Sequence, residues 1–132
     1  MLALAEIISP RVKMSQEFAK GDYLIFQLES GYGLLRVLAI DFNPNGTTWH
    51  LAAYSDLFLD IEMADTALDS GNSLKVSHPH IALTNRAFES TQVARMRNVP
   101  LTEGELGGLD NWKKDEGREI SDRSVRLLLG LR

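Results

Sequence analysis

The sequence predicts an α+β single domain over residues 1–132, built on a strongly bent, mostly antiparallel sheet or an SH3-like β-barrel with short flanking helices. Three β-rich runs lie between residues 22 and 54, and two turn sequences, Ser30-Gly31 and Asn43-Pro44-Asn45-Gly46, separate them. Each run has apolar side chains on both faces, so both faces must be covered, by closure of the sheet or by helices. A later stretch, residues 57–68, has helical periodicity.

The alternation of side chains along a strand assigns each run two faces. The first run places Leu24, Phe26 and Leu28 against Tyr23, Ile25 and Gln27. The second places Leu35, Val37 and Ala39 against Leu34, Arg36, Leu38 and Ile40, and the third places Trp49, Leu51 and Ala53 against His50, Ala52 and Tyr54. We expect Trp49 in the core.

The helix predicted after the third strand has one narrow apolar stripe, Leu57, Ile61, Ala64 and Leu68. Ser55 or Asp56 is the expected N-cap, and Ser70-Gly71-Asn72 the expected end. The acids of this stretch then face solvent.

The remaining elements are short. We expect a helix before Pro10, an extended stretch over 73–83 whose Pro79 indicates a sheet edge or a break, and a one-turn helix at 85–89. A strand over 92–99 would place Arg95 and Arg97 on one face. Thr102 to Glu105 fits a capping box that opens a short or irregular helix with Leu106, Leu109 and Trp112 buried. Residues 121–131 fit either a helix capped by Ser121-Asp122 or a strand.

Composition excludes several classes of protein. At 132 residues, with 44% hydrophobic and 24% charged residues, the chain is typical of a globular domain. It has no cysteine, which excludes disulfides and thiolate chemistry and fits a reducing cytoplasm. The apolar opening has no basic n-region, and Glu6 and Pro10 interrupt it, so we expect neither a secretion signal nor a membrane span.

Charge is distributed unevenly in a chain of net charge -4. No Lys or Arg lies between Arg36 and Lys75, whereas six acids do: Asp41, Asp56, Asp60, Glu62, Asp65 and Asp69. Such a surface repels nucleic acid and attracts a basic protein, although a merely solubilising face is the simpler alternative.

No catalytic residues, metal ligands or cofactor are predicted. His78-Pro79-His80 would direct both imidazoles to one face of a strand, but His50 is the only other histidine, and a metal would need ligands that the spacing does not select. The sequence contains neither a nucleophile elbow nor a phosphate-binding glycine loop. Among the aromatic residues, Tyr32 at the first hairpin and Tyr54 at a strand end are the candidates for surface recognition.

One segment resembles a known family. Lys20-Gly21-Asp22, then Phe26, Leu28, Gly31-Tyr32-Gly33 and Arg36-Val37-Leu38 are similar to the opening of the Imm26-type immunity proteins of bacterial polymorphic toxin systems, over about residues 18–40. The resemblance implies a non-enzymatic cytoplasmic protein that binds and blocks a toxin, and it carries over no catalytic residue.

Resemblance and charge together predict a cytoplasmic binding protein whose partner is a basic toxin domain. The predicted partner-binding residues are Tyr32, Tyr54, Asp56, Asp60, Glu62, Asp65 and Asp69. One alternative is a small regulatory module that binds a peptide or ligand through barrel aromatics, which a homodimer through Leu127 to Leu131 would favour. The other is a metal-dependent hydrolase that uses His50, His78 and His80.

Overall fold

The computed structural model describes residues 17–70 and 74–131. The strands are β1 (Asp22–Leu28), β2 (Gly31–Asn43), β3 (Gly46–Tyr54), β4 (Val76–Thr84) and β5 (Val93–Asn98). The helices are α1 (Ile61–Asp69), α2 (Asn85–Glu89), α3 (Gly107–Lys114), which a 3₁₀ turn (Gly104–Leu106) precedes, and α4 (Val125–Leu129). The helix expected before Pro10 lies outside the described residues.

The five strands form one antiparallel sheet in the order β4-β3-β2-β1-β5. This confirms the predicted α+β fold with a bent antiparallel sheet and short helices. The described strands do not close into a barrel, because β4 and β5 are edges of the sheet. Pro79 lies on an edge strand, as expected of a residue that cannot donate to a ladder.

One face of the sheet carries the larger apolar core. It contains the alternate residues Leu24, Phe26, Leu35, Val37, Trp49 and Leu51. Helices α2 and α4 cover this face through Phe88 and Val125. The Trp49 and Phe88 rings stack with centroids 3.8 Å apart, and the Trp49 indole donates to Asn85 Oδ1 at 2.8 Å. Trp49 is therefore a core residue, as predicted.

The opposite face carries two smaller apolar clusters, which different helices cover. Helix α1 contributes Ala64 to a cluster with Ile25, Leu34 and Tyr54. Helix α3 contributes Leu109 to a cluster with Leu38 and Ala52. The expectation that both faces would be covered is confirmed, and helices provide the cover.

Bulges overturn two of the face assignments. Between Val37 and Ala39 the β2–β3 register shifts, so Ile40 packs in the larger core and Ala39 in the α3 cluster, the reverse of strict alternation. A second shift, where β5 pairs with Tyr23 and Leu24, separates the two arginines of β5. Arg95 bonds to Asp22, whereas Arg97 bonds to Asp65 of α1.

Two predicted helix starts are wrong, because the residues expected to cap them make hydrogen bonds to other segments. Ser55 and Asp56 both bond to Lys75, so α1 begins only at Ile61, where Asp60 accepts from the Met63 amide at 2.8 Å. Ser121 bridges to β4, and Ser124 caps α4 instead. Residues 125–129 are helical, which settles the ambiguity over the last segment.

Other local predictions are confirmed. Thr102 and Glu105 exchange the two hydrogen bonds of a capping box, at 2.9 and 3.3 Å, and the helix that follows is short with a 3₁₀ start. Helix α2 coincides with the one-turn helix predicted at residues 85–89. Within residues 17–70 and 74–131, no helix has the length and apolarity needed to cross a bilayer.

Candidate functional site

Residues 57–63, called the 57–63 segment below, are fixed beside the first hairpin. Tyr32 and Phe58 exchange backbone hydrogen bonds of 2.8 and 2.9 Å. Gly31 makes this approach possible, because a Cβ there would lie 2.5 Å from the Phe58 carbonyl oxygen. The hairpin therefore brings Tyr32, a predicted partner-binding residue, against the segment that leads into the acidic helix.

The 57–63 segment exposes large apolar side chains. Leu59 is 76% exposed, and Leu57, Ile61 and Met63 are each about half-exposed. Asp56, Asp60 and Glu62 alternate with them along the chain. Apolar side chains exposed together among charges are typical of a surface that a partner covers.

The predicted acids are largely exposed, but several already have partners. Asp60 caps α1, and Asp56 accepts from the Lys75 amide at 2.7 Å. Asp65 and Asp69 flank the Arg97 guanidinium at 2.6 and 3.7 Å. Glu62, in the first turn of α1, is exposed and is the acid best placed to meet a partner without loss of an internal contact.

A groove of about 440 Å³ crosses the second face of the sheet. Tyr23, Ala52 and Tyr54 of the central strands line it, together with Leu68 of α1 and Glu105 of the 3₁₀ turn. The remaining lining residues are Leu74, Val76, Pro79, Arg97, Val99 and Gly104. Its composition, mainly apolar with a few polar groups, is that of a ligand or anchor-residue site.

Tyr54 lies in this groove instead of on an open surface. It is only 7% exposed, because its ring packs beside Tyr23 with centroids 6.2 Å apart. Burial, and the hydrogen bond and charge of Tyr23, raise the pKa of the Tyr54 hydroxyl far above its usual range. The placement of Tyr54 as a surface ring is therefore wrong, and any contact with a partner must occur inside the groove.

Arg36 supports one wall of the groove from below. Arg36 is 1% exposed, and its guanidinium bonds bidentately to Glu105 at 2.9 and 3.1 Å. It also donates to the carbonyls of Gly21, Val99 and Pro100, and stacks on Tyr23 at 4.2 Å. This pairing lowers the pKa of Glu105 and fixes the 3₁₀ turn against the sheet.

Two of the three histidines meet in a partly buried chain, in which His50 is fully enclosed and Asp41 is exposed. His50 Nε2 bonds to Asp41 Oδ2 at 2.8 Å, and His50 Nδ1 bonds to His80 Nε2 at 2.9 Å, with Trp112 packed on both rings. With both rings neutral, His50 donates through Nε2 to the carboxylate and accepts at Nδ1 from His80. Burial and the neighbouring His50 lower the pKa of His80 to about 4, so its ring is neutral at pH 7.

His78 does not join this chain, and the expectation that His78 and His80 share a face is wrong. Leu51 pairs with Ile81 and Ala53 with His78, so β4 holds one extra residue there and its side chains change face. His78 lines a small cavity with Leu129 and Leu131 on the other face. No cluster of three or more metal-ligating side chains occurs in the described part of the chain.

Sequence reasoning missed the groove. Its wall depends on a contact between Arg36 and Glu105, 69 residues apart, and no local pattern encodes that distance. The detectable signal was a charged residue, Arg36, in the middle of an otherwise apolar strand, which implies a buried partner.

Fold and surface together define a small α+β protein with an exposed apolar and acidic segment beside an aromatic groove. In comparisons with protein-family models, curated proteins and solved structures, nothing matched this chain.

Proposed function

We propose that this protein binds a basic protein partner, and that it acts as a cytoplasmic immunity protein that blocks a toxin domain. The observation that carries the proposal is the 57–63 segment, where Leu57, Leu59 and Met63 are exposed among Asp56, Asp60 and Glu62. The apolar side chains supply the area that a partner would bury, and the carboxylates select a partner of opposite charge.

Charge supports the class of partner. The chain between Arg36 and Lys75 carries acids only, and Arg97 is the one cation that bonds to the side chains of α1 among the described residues. This surface disfavours nucleic acid and speeds the approach of a basic cleft such as that of a nuclease. The resemblance of residues 18–40 to immunity proteins points to the same kind of partner.

The test is binding to a toxin domain sought among the proteins encoded beside this gene, measured by titration calorimetry together with inhibition of that toxin's activity. Leu59→Asp should weaken binding at least tenfold, since it places a charge where the partner would bury an apolar group. Phe42→Asp is the matched control, because Phe42 on the β2–β3 hairpin is 78% exposed and lies outside the segment. Equal effects of the two substitutions would contradict the proposal.

A second variant tests the charge. Glu62→Lys should lower the association rate constant several-fold at low salt. The difference between the rate constants of the variant and the natural protein should shrink as the salt concentration rises. Glu62 is preferable to Asp60, whose neutralisation would also remove the cap of α1. Glu116→Lys, in the exposed loop after α3, controls for net charge. If both charge reversals slow association alike, the effect comes from the net charge of the protein, and the 57–63 segment is not the contact.

A further inference from the structure

The histidine chain joins helix α3 to the sheet. His50 lies on β3 and is fully enclosed, whereas His80 lies on the edge strand β4 and is partly exposed. The Trp112 ring of α3 packs on both imidazoles, with its centroid 4.9 Å from that of His50 and 5.4 Å from that of His80. A Cβ at Gly108 would lie 3.1 Å from His80 Cβ, so the backbone of α3 also packs closely on this histidine. The helix therefore rests on a ring that protons from solvent can reach.

The contact between the two imidazoles holds only one proton. His50 Nδ1 and His80 Nε2 are 2.9 Å apart, a hydrogen-bond distance at which one nitrogen donates and the other accepts. One added proton keeps every bond of the chain, because the shared proton moves to His50 Nδ1 while His80 takes the new proton at Nδ1. His50 then carries the charge beside the Asp41 carboxylate. A second added proton places N–H groups on both facing nitrogens, and the bond between the rings is lost.

The surroundings do not compensate two charges. Among the described residues, Asp41 is the one charged group bonded to either ring, and it bonds to His50. The Arg118 guanidinium lies 5.6 Å from the centre of the Trp112 ring and adds a positive charge. The other charged residues of α3 are exposed: Asp110, Lys113 and Lys114. Burial and the neighbouring His50 accordingly lower the pKa of His80 to about 4.

Helix α3 can separate from the histidines while the sheet stays folded. It is 8 residues long, and Leu109 is its buried residue. The 3₁₀ turn before it is fixed independently, because Glu105 bonds to the buried Arg36. That pairing lowers the pKa of Glu105, so the turn stays attached in mild acid. We infer that α3 is an acid-sensitive flap: protonation of both His50 and His80 displaces Trp112 and lifts α3 from the sheet, while the strands and the 3₁₀ turn remain in place.

The direction of the pH dependence follows from the two states of the flap. With α3 lifted, His80 returns towards its usual pKa of 6.5, whereas with α3 in place its pKa is about 4. The lifted state therefore binds the extra proton, and opening is favoured as the pH falls from about 6.5 towards 4.

The two tryptophans allow the flap and the core to be followed separately. Trp49 lies in the larger core and Trp112 on α3, so labelling with 5-fluorotryptophan gives one ¹⁹F resonance for each, which Trp112→Phe assigns. As the pH is lowered from 7.5, the Trp112 resonance should move towards the position of the free amino acid while the Trp49 resonance keeps its folded position. A change of both resonances at one midpoint, or a Trp112 resonance that stays fixed until Trp49 unfolds, would overturn the inference.

Two histidine variants identify the group that is protonated. His80→Gln keeps an N–H donor for His50 Nδ1 but cannot take up a proton, so the Trp112 transition should disappear. His78→Gln is the matched control, because His78 lies outside the chain on the other face of the sheet, and it should leave the midpoint unchanged. A Trp112 transition that survives His80→Gln, or that shifts equally in both variants, would overturn the inference.

A measurement on the natural protein keeps the test decisive if His80→Gln does not fold. Long-range ¹H–¹⁵N spectra at pH 7.5 should show His50 and His80 protonated at Nε2 and unprotonated at Nδ1. Both rings should become doubly protonated over the same pH range in which the Trp112 resonance moves. Rings that are still singly protonated when Trp112 is displaced would overturn the inference.

Discussion

The pair formed by Arg36 and Glu105 should contribute more to stability than any other ion pair among the described residues. Arg36 is 1% exposed, whereas Glu105 keeps 27% of its side-chain surface in water. Removing one partner of a fully buried pair costs about 3–5 kcal/mol. Because water reaches Glu105, we expect Glu105→Gln to lower the free energy of unfolding by about 2–3 kcal/mol, measured by urea unfolding at pH 7 with tryptophan fluorescence.

A double-mutant cycle isolates the interaction itself. Arg36→Met leaves the carbonyls of Val99 and Pro100 without their guanidinium donor and should cost about 3 kcal/mol. The double variant should lose less stability than the sum of the two single losses, with a coupling energy of about 1.5–3 kcal/mol. Asp122→Asn, which breaks an exposed pair with Arg86, is the control and should change the free energy of unfolding much less. A coupling energy below about 0.5 kcal/mol would refute the reasoning.

The pair also predicts a dependence on pH. The Arg36 guanidinium lowers the pKa of Glu105 below its usual 4.5, so folding favours the ionised form. The stabilisation is complete above the usual pKa and is lost as the pH falls through the lower pKa of the folded protein. Glu105→Gln should remove this part of the loss of stability at low pH. If the free energy of unfolding falls with pH as steeply in the variant as in the natural protein, Glu105 is not the source of that loss.

Three further predictions concern the histidine chain and two glycines. The pKa of His80 falls from 6.5 to about 4 on folding, so the unfolded chain binds the extra proton, and stability should decline as the pH drops from about 6.5 towards 4. His80→Gln should flatten that decline in thermal unfolding between pH 7.5 and 4, and an unaltered slope would exclude His80 as its source. Gly31→Ala should cost about 1–3 kcal/mol and speed hydrogen exchange at the Tyr32 and Phe58 amides, because its Cβ would meet the Phe58 carbonyl. Gly107→Ala, whose Cβ would meet nothing within 4 Å in a helical turn, should instead stabilise by about 0.5–1 kcal/mol, and destabilisation there would show that the predicted free space is absent.

Local patterns predicted most of the elements. Turn dipeptides and alternation placed β1, β2 and β3, and the capping box placed the start of the 3₁₀ turn. These signals work because the interactions that they describe lie within a few residues of one another. The prediction that both faces of the sheet are covered succeeded for the same reason, because the alternation of residues along each strand shows that both of its faces are apolar.

The failures all arose from contacts between distant segments. The stripe from Leu57 to Leu68 fitted a helix, but Phe58 pairs with Tyr32 and holds the first turn in an extended form. Alternation placed His78 and His80 together, yet a bulge against β3 moved them to opposite faces. The groove could not be predicted either, because it needs the relative placement of α1, the sheet and the 3₁₀ turn.

The burial of the central strands on both faces limits how this protein can change over evolutionary time. Nearly every position from Leu34 to Leu38 and from Thr48 to Tyr54 is enclosed, so replacement there threatens folding before it alters recognition. Substitutions that leave the fold intact should therefore concentrate at exposed positions outside the central strands, such as Leu59 and Glu62. The central strands are then expected to stay nearly constant, and the exposed segments around the sheet are expected to vary.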